Sequence, residues 1–252
     1  MCWAPSASNL LIWWMNMNRD YIQAYDADYG SSVSTESGII ERPSYDFLPL
    51  YPNGTDGVVN RAEVFEFFKD HFPNMGNNEA YGVNWFITGA FLGSDINGFR
   101  GFFNEVFTRS DKLTATTRNK PDGDTFNSFV TDALLSGKGL GFDVYDIAGK
   151  NTGNHAMTVW GVQYDDSGRI AYIYYCDNNM SDQDPNGAVI SRKQIVYEKD
   201  DTGAECTYLK KLDPKEPLYE TGKFLITNVI SVDLGRDLWK KKFPGVMAGS
   251  QD

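Results

Sequence analysis

Cysteine and histidine are scarce in this chain of 252 residues, which contains three cysteines and two histidines. This scarcity excludes a zinc framework of the usual cysteine and histidine spacing, and the odd number of cysteines argues against a disulfide scaffold. Any thiol or imidazole chemistry must therefore use a very small set of residues: Cys2, Cys176, Cys206, His71 and His155.

Positive charge and long apolar runs are also lacking. The chain has 23 Lys and Arg against 34 Asp and Glu, a net charge of −11, so it lacks the basic surface that nucleic acid binding needs. The longest apolar run, residues 10–15, ends at Asn16, well short of the roughly 18 residues of a membrane helix, and we expect no membrane insertion. No signal region follows Met1, as in a secreted protein that has lost its signal or in a shortened chain.

Apolar residues are plentiful enough for a folded core. They make up 41% of the chain, with 14% aromatic residues, which excludes a disordered protein. Apolar spacing of three and four predicts helices in the first half: residues 3–25, Asn60 to Phe72, 80–91 and about 124–136. Alternation predicts strands in the second half: residues 140–145, 156–164, 170–176, 188–198, 205–209 and 223–232. Residues 26–59 are predicted to be loop, and the segregated order predicts an α+β fold.

Of the two histidines, His155 has the sequence context that indicates a catalytic role. It opens a predicted hairpin whose turn contains Asp165–Gly168 and whose second strand ends at Asp177. The midpoint of residues 155 and 177 falls in that turn, so we expect His155 and Asp177 to be neighbours across the hairpin. A carboxylate beside an imidazole fixes its tautomer and favours the imidazolium, although a purely structural pair is the alternative. His71 lies at a helix end, where a structural role is expected.

Cys2 is the thiol best placed to act as a nucleophile. It precedes the predicted helix of residues 3–25, whose dipole lowers the pKa of a thiol at its start. Cys176 and Cys206 each lie beside an acidic residue and are predicted to be small buried strand residues. Cys2 precedes His155 by 153 residues, close to the roughly 130–150 residues of papain-type peptidases, and the order Cys, His, Asp is the same.

Several segments, found in the same order over about residues 2–185, carry a family resemblance. They are residues 2–9 (CWAPSASN), 13–14 (WW), 64–69, 103–109, 137–141, 154–161, 165–168 and 173–177. Together they resemble the Mac family of immunoglobulin-degrading cysteine peptidases, a branch of the papain-like clan. The triplet Cys-Trp-Ala alone is typical only of papain-like peptidases, so the family assignment depends on the whole set.

The resemblance implies a fold and three site residues. The fold is α+β and papain-like: a helical lobe of about residues 1–136 packs on an antiparallel β lobe of about residues 137–245, in a single domain of residues 1–252. Cys2 corresponds to the nucleophile, His155 to the base and Asp177 to the orienting acid. Neither a metal nor a cofactor is expected.

Two positions depart from the family pattern. The family has a second acid two residues after the orienting aspartate, where this chain has Asn179. It also has an oxyanion-stabilising side chain upstream of the cysteine, where only Met1 is present. Losing one oxyanion donor costs about 10²–10³ in rate. We therefore expect that native N-terminal residues are missing, or that the chain as written is weakly active.

The sequence thus predicts a secreted cysteine endopeptidase that acts through an acyl-enzyme on a protein substrate, with immunoglobulin G suggested by the family. One alternative is an N-terminal-nucleophile amidase, in which loss of Met1 frees the α-amine of Cys2 to act as base; the helical pattern after Cys2 argues against it. Another is a non-catalytic binding protein on a peptidase-like scaffold. Alkylation of Cys2 at pH 6 distinguishes these, because a thiolate reacts there and an ordinary thiol scarcely does.

Overall fold

The computed structural model describes residues 2–45, 62–72, 79–91, 96–117, 119–146, 154–177, 190–210 and 223–247. Its helices are α1 (Trp3–Met17), α2 (Arg19–Tyr29), α3 (Glu63–His71), α4 (Glu79–Thr88), α5 (Gly123–Leu135) and α6 (Arg236–Lys242). Its strands are β1 (Ser32–Thr35), β2 (Gly38–Glu41), β3 (Thr114–Thr117), β4 (Gly139–Asp146), β5 (Asn154–Tyr164), β6 (Ile170–Cys176), β7 (Ile190–Lys199), β8 (Glu205–Lys210) and β9 (Lys223–Val232). None of the helices in these ranges is long and apolar enough to cross a membrane.

Strands β4 to β9 form a closed six-stranded antiparallel barrel. Neighbours pair in the order β9-β4-β5-β6-β7-β8, and β8 then pairs with the first residues of β9. The edge of β9 that pairs with β8 at its beginning pairs with β3 at its end. Apolar residues that alternate along the strands fill the barrel, and α5 adds Phe126, Val130 and Ala133 to the same cluster.

The predicted papain-like fold, with a helical lobe packed on an antiparallel β lobe, is therefore wrong. Irregular register at Asp143/Val144 in β4, and at Val159/Gly161 and Gln163/Tyr164 in β5, increases the local twist and bends these strands. The curled sheet brings β8 against β9, so the barrel has no open edge between them. Helix α6 lies after the strands and packs into the helical core through Trp239 and Phe243.

The helical core surrounds α1, which is buried along most of its length. Helices α3 and α4 pack against α1, and so do strands β4 and β5 of the barrel wall. Two glycines of β4 permit this close approach. A Cβ on Gly139 would lie 2.7 Å from the Trp13 ring, and one on Gly141 would lie 3.2 Å from a carboxyl oxygen of Glu79.

Most predicted elements lie within a few residues of the observed ones, but the following differences occur. The predicted helix of residues 3–25 is broken at Asn18, whose buried side chain donates a hydrogen bond to the carbonyl of Leu234. Helix α3 begins at Glu63, which accepts a hydrogen bond from the Ser44 backbone; the predicted cap Asn60 lies outside the described residues. The predicted loop contains the β1–β2 hairpin, and β3 and α6 were not predicted.

Candidate active site

Cys2 lies at the start of α1, at the N-cap position, and its side chain makes no capping hydrogen bond. The helix is anchored directly behind it by Trp3 and Ala4, which are buried. Its thiol donates a hydrogen bond of 3.4 Å to the carbonyl oxygen of Asn154, the first residue of β5. The helix therefore directs a half-buried thiol at the beginning of β5.

His155, the next residue of β5, contacts both Cys2 and Asp177. Its Nε2 lies 2.7 Å from Oδ1 of Asp177, the residue that directly follows β6. The imidazole also forms a hydrogen bond with the Cys2 side chain. Since Nε2 is occupied by Asp177, Nδ1 is the nitrogen that remains for the sulfur. The three residues predicted from the sequence thus lie together, in the order thiol, imidazole, carboxylate.

The contact between His155 and Asp177 is real, but the predicted register was wrong by two residues. Thr158 pairs with Cys176 and Val159 with Tyr175, so continuing that register places Asp177 opposite Met157. His155 is therefore a diagonal neighbour of Asp177, a separation that long side chains still bridge. The turn lies slightly further along the chain than its composition indicated.

The charges of the site favour a thiolate and an imidazolium. Burial raises the pKa of Cys2, but hydrogen bonds from His155 and from the Ala156 backbone lower it more, and the pKa is lowered from its usual value. Burial lowers the pKa of His155, but the bonds to Asp177 and Cys2 outweigh it and raise the pKa to about 9. Opposite shifts in an adjacent thiol and imidazole favour the ion pair at neutral pH.

The other candidate residues have different environments. Burial, and then the charge of Asp177, raise the pKa of the Cys176 thiol to about 11. Burial and Asp200 raise the pKa of Cys206. His71 ends α3, and its ring packs on Phe67 with centroids 4.9 Å apart. Among the described residues, no group of three or more His, Cys, Asp and Glu is placed to bind a metal ion. Asn179 lies outside the described residues.

A buried polar cluster next to the triad was not anticipated. It lies between α1, α4 and the outer wall of the barrel and consists of Ser6, Asn9, Glu79, Asp143, Thr158 and Asn228. Alternation along β4 and β5 places Asp143 and Thr158 on the face opposite the barrel core, where α1 and α4 cover them. An acid directly before the apolar run of residues 80–91 was a signal for Glu79, but burial depends on the packing of α1 and α4 on the barrel.

Fold and site together define an α+β barrel protein with a cysteine, a histidine and an aspartate in contact. A family model described as Mac 1 matches residues 1–239, and the chain belongs to this family, which confirms the family predicted from the sequence. It is also similar to a protein named IgM protease from Streptococcus suis (strain P1/7), at 27% identity over 265 residues. That alignment covers 96% of this chain and 21% of the relative, so the chain spans about a fifth of that protein's length.

Proposed function

We propose that this protein is a cysteine endopeptidase in which Cys2 is the nucleophile, His155 the acid and base, and Asp177 the orienting acid. The observation that carries the proposal is the contact of Cys2 with His155 and of His155 with Asp177 at 2.7 Å. The opposite pKa shifts of the thiol and the imidazole support it. A purely structural pair of His155 and Asp177 would not require a thiol with a lowered pKa on the other side of the ring.

The chemistry follows from these contacts. The Cys2 thiolate attacks the peptide carbonyl carbon, and the carbonyl oxygen becomes an oxyanion near the first backbone N–H groups of α1, which have no carbonyl partner within the helix. His155 gives its proton to the leaving amine as the C–N bond breaks, which leaves a thioester on Cys2. His155 then takes a proton from water, the resulting hydroxide attacks the thioester, and the thiolate leaves. Asp177 accepts a hydrogen bond from Nε2 throughout, so the ring stays aligned with the sulfur.

The alternatives are less well supported. An N-terminal-nucleophile amidase uses its own α-amine as the base, whereas the group in contact with the Cys2 thiol is the His155 imidazole. Cys2 also begins a helix rather than a strand. A non-catalytic binding protein has no need of a thiolate–imidazolium pair, and the electrostatics of the site favour that pair.

For the substrate we propose an immunoglobulin, and IgM first, because the similar streptococcal protein is named as an IgM protease. Immunoglobulins circulate outside cells, so an extracellular location for this protein is part of the proposal. The net charge of −11 gives no reason to expect a nucleic acid substrate.

The experiment is a digestion of purified IgM, IgG and IgA, with casein as a substrate that is not an immunoglobulin, followed by gel electrophoresis and sequencing of the new N-termini. We expect discrete heavy-chain fragments from IgM and no fragments with the Cys2→Ala protein. Cleavage of IgG alone would support the immunoglobulin class and contradict the choice of IgM. Cleavage of casein with all three immunoglobulins intact would contradict the substrate proposal but not the peptidase proposal, and no cleavage of any protein would contradict both.

A further inference from the structure

The buried polar cluster behind the triad forms a directed chain of hydrogen bonds. Asn9 donates to the Thr158 hydroxyl at 3.2 Å, and Thr158 lies 3.2 Å from the Ser6 hydroxyl. Ser6 donates to Oε1 of Glu79 at 3.1 Å. Because Ser6 has one proton and gives it to Glu79, the proton between Ser6 and Thr158 must come from Thr158. Every donor therefore points toward Glu79.

Glu79 must hold a proton of its own. Its side chain is fully buried, and among the described residues no donor faces its second oxygen, Oε2. The carboxyl group of Asp143 nevertheless lies within hydrogen-bonding reach of Glu79. Two carboxyl groups form a hydrogen bond only when one of them is protonated. Burial and the nearby charge of Asp143 raise the pKa of Glu79 well above its usual value, so the proton belongs to Glu79.

The negative charge of the pair then lies on Asp143, which has better partners for it. The side-chain amide of Asn228 donates to Oδ2 of Asp143 at 3.0 Å. Burial raises the pKa of Asp143 above its usual value, and Asn228, Glu79 and the charge of His155 limit that rise. In the β4–β5 register Asp143 pairs with Ala156, the residue next to His155 along β5. The two side chains therefore leave opposite faces of the sheet, and Asp143 acts on the imidazole through its charge rather than by contact.

We propose that Glu79 and Asp143 share a single proton and hold one buried negative charge on the strand next to His155, and that this charge favours the imidazolium. Cys2 from α1 and Asp177 after β6 contact the His155 ring, and Asp143 of β4 lies across the strand pair from Ala156, with Glu79 of α4 beside Asp143 as a neutral donor. The importance of this charge for catalysis rests on the proposed function, whereas the existence of the charge does not. The tests below therefore measure titration and stability rather than substrate turnover.

The first test is the pH titration of the His155 ring by NMR. The chain has only two histidines, so a His71→Gln background leaves one imidazole signal. We expect a midpoint near 9 in this background and the same midpoint after Glu79→Gln, because glutamine replaces a neutral carboxyl by a neutral amide that still donates. The double variant Glu79→Gln/Asp143→Asn removes the charge, and the midpoint should fall by about one pH unit.

The double variant is needed because Asp143→Asn alone leaves Glu79 free to ionise in its place. A midpoint that falls already in Glu79→Gln would show that Glu79 carries the charge and would overturn the assignment. An unchanged midpoint in the double variant would show that the pair is only a packing element. Both outcomes can be read from a folded protein whether or not it cleaves a substrate.

The second test is the pH dependence of stability, which needs only the conservative Glu79→Gln protein. A buried Glu79 that stays protonated in the folded state binds a proton that the unfolded chain releases above about pH 4.3. Folding stability from this group is complete below that pH and is lost as the pH rises toward the folded-state pKa. The unfolding constant of the unsubstituted protein, relative to Glu79→Gln, should therefore rise about tenfold per pH unit above about pH 5, until the pH reaches the folded-state pKa. Parallel stability curves would overturn the proposal.

Failure of the two proposals can be told apart. If the titration and stability results appear as expected and no protein substrate is cleaved, the carboxyl pair is correct and the peptidase assignment is wrong. If peptide cleavage depends on Cys2 and the titration midpoint of His155 is unchanged in the double variant, the peptidase assignment stands and the pair is structural.

Discussion

Replacing Cys2 by alanine is expected to abolish peptide hydrolysis, with kcat/KM lower by about 10⁴-fold or more. The reason is that the thioester cannot form without the sulfur, and His155 and Asp177 alone have no nucleophile to activate. The fold should be unchanged, because Cys2 is half-buried at the N-cap of α1 and makes no capping bond. Initial rates on the substrate found in the digestion experiment measure the loss, and thermal unfolding followed by circular dichroism measures the fold.

Cys206→Ala is the matched control for this change. Cys206 is a buried residue of β8 whose pKa is raised, so its loss removes one sulfur without affecting the triad. We expect this variant to keep its activity. Retention of activity in Cys2→Ala together with its loss in Cys176→Ala would show that the nucleophile had been assigned to the wrong cysteine.

The second large effect is expected from Asp177→Ala, which should lower kcat by about 10²–10⁴-fold, the range that a positioned acid–base group contributes. Asp177 holds Nε2 of His155 at 2.7 Å and is itself buried. Without it the ring rotates freely and the imidazolium loses its largest support, so the pKa of His155 falls from about 9. Activity falls at alkaline pH when the imidazolium loses its proton. In Asp177→Ala this fall should therefore occur at a lower pH than in the unsubstituted protein.

Asp177→Asn separates orientation from charge in this prediction. The amide oxygen of asparagine still accepts a hydrogen bond from Nε2, so the ring stays aligned while the negative charge is lost. We expect a smaller fall in kcat than with alanine. The pH at which activity is lost on the alkaline side should be lowered as it is in Asp177→Ala. Steady-state kinetics of both variants over pH 5–10 measures the two effects. Unchanged rates in both variants would mean that the contact with His155 is structural.

The barrel strands were largely predictable from the sequence because each shows period-2 alternation and is bounded by turn residues. The end of β6 at Cys176 and of β9 at Val232 agrees with the predictions. Closure of the barrel was not predictable, because it depends on bulges such as the one between Val159 and Gly161, which alternation does not reveal. The analogy with a papain-like fold predicted an antiparallel β lobe and did not predict the closed barrel.

The same contrast holds for the site. Cys2, His155 and Asp177 could be selected because the chain offers few thiols and imidazoles, and one hairpin brings the last two near each other. The buried pair of Glu79 and Asp143 could not, because it depends on how α1 and α4 cover the outer wall of the barrel. Nor was the break at Asn18 visible, since its buried side chain is held by the carbonyl of Leu234, 216 residues away.

The central claim is that His155 keeps Cys2 as a thiolate, and the most direct measurement is the rate of alkylation by iodoacetamide at each of the three cysteines, followed by mass spectrometry over pH 5–9. The account predicts rapid labelling of Cys2 at pH 6, much slower labelling of Cys176 and Cys206, and a large decrease at Cys2 in a His155→Ala protein, because the pKa of the thiol then rises. Labelling of Cys2 that is slow at pH 6, or that does not change in His155→Ala, would contradict it.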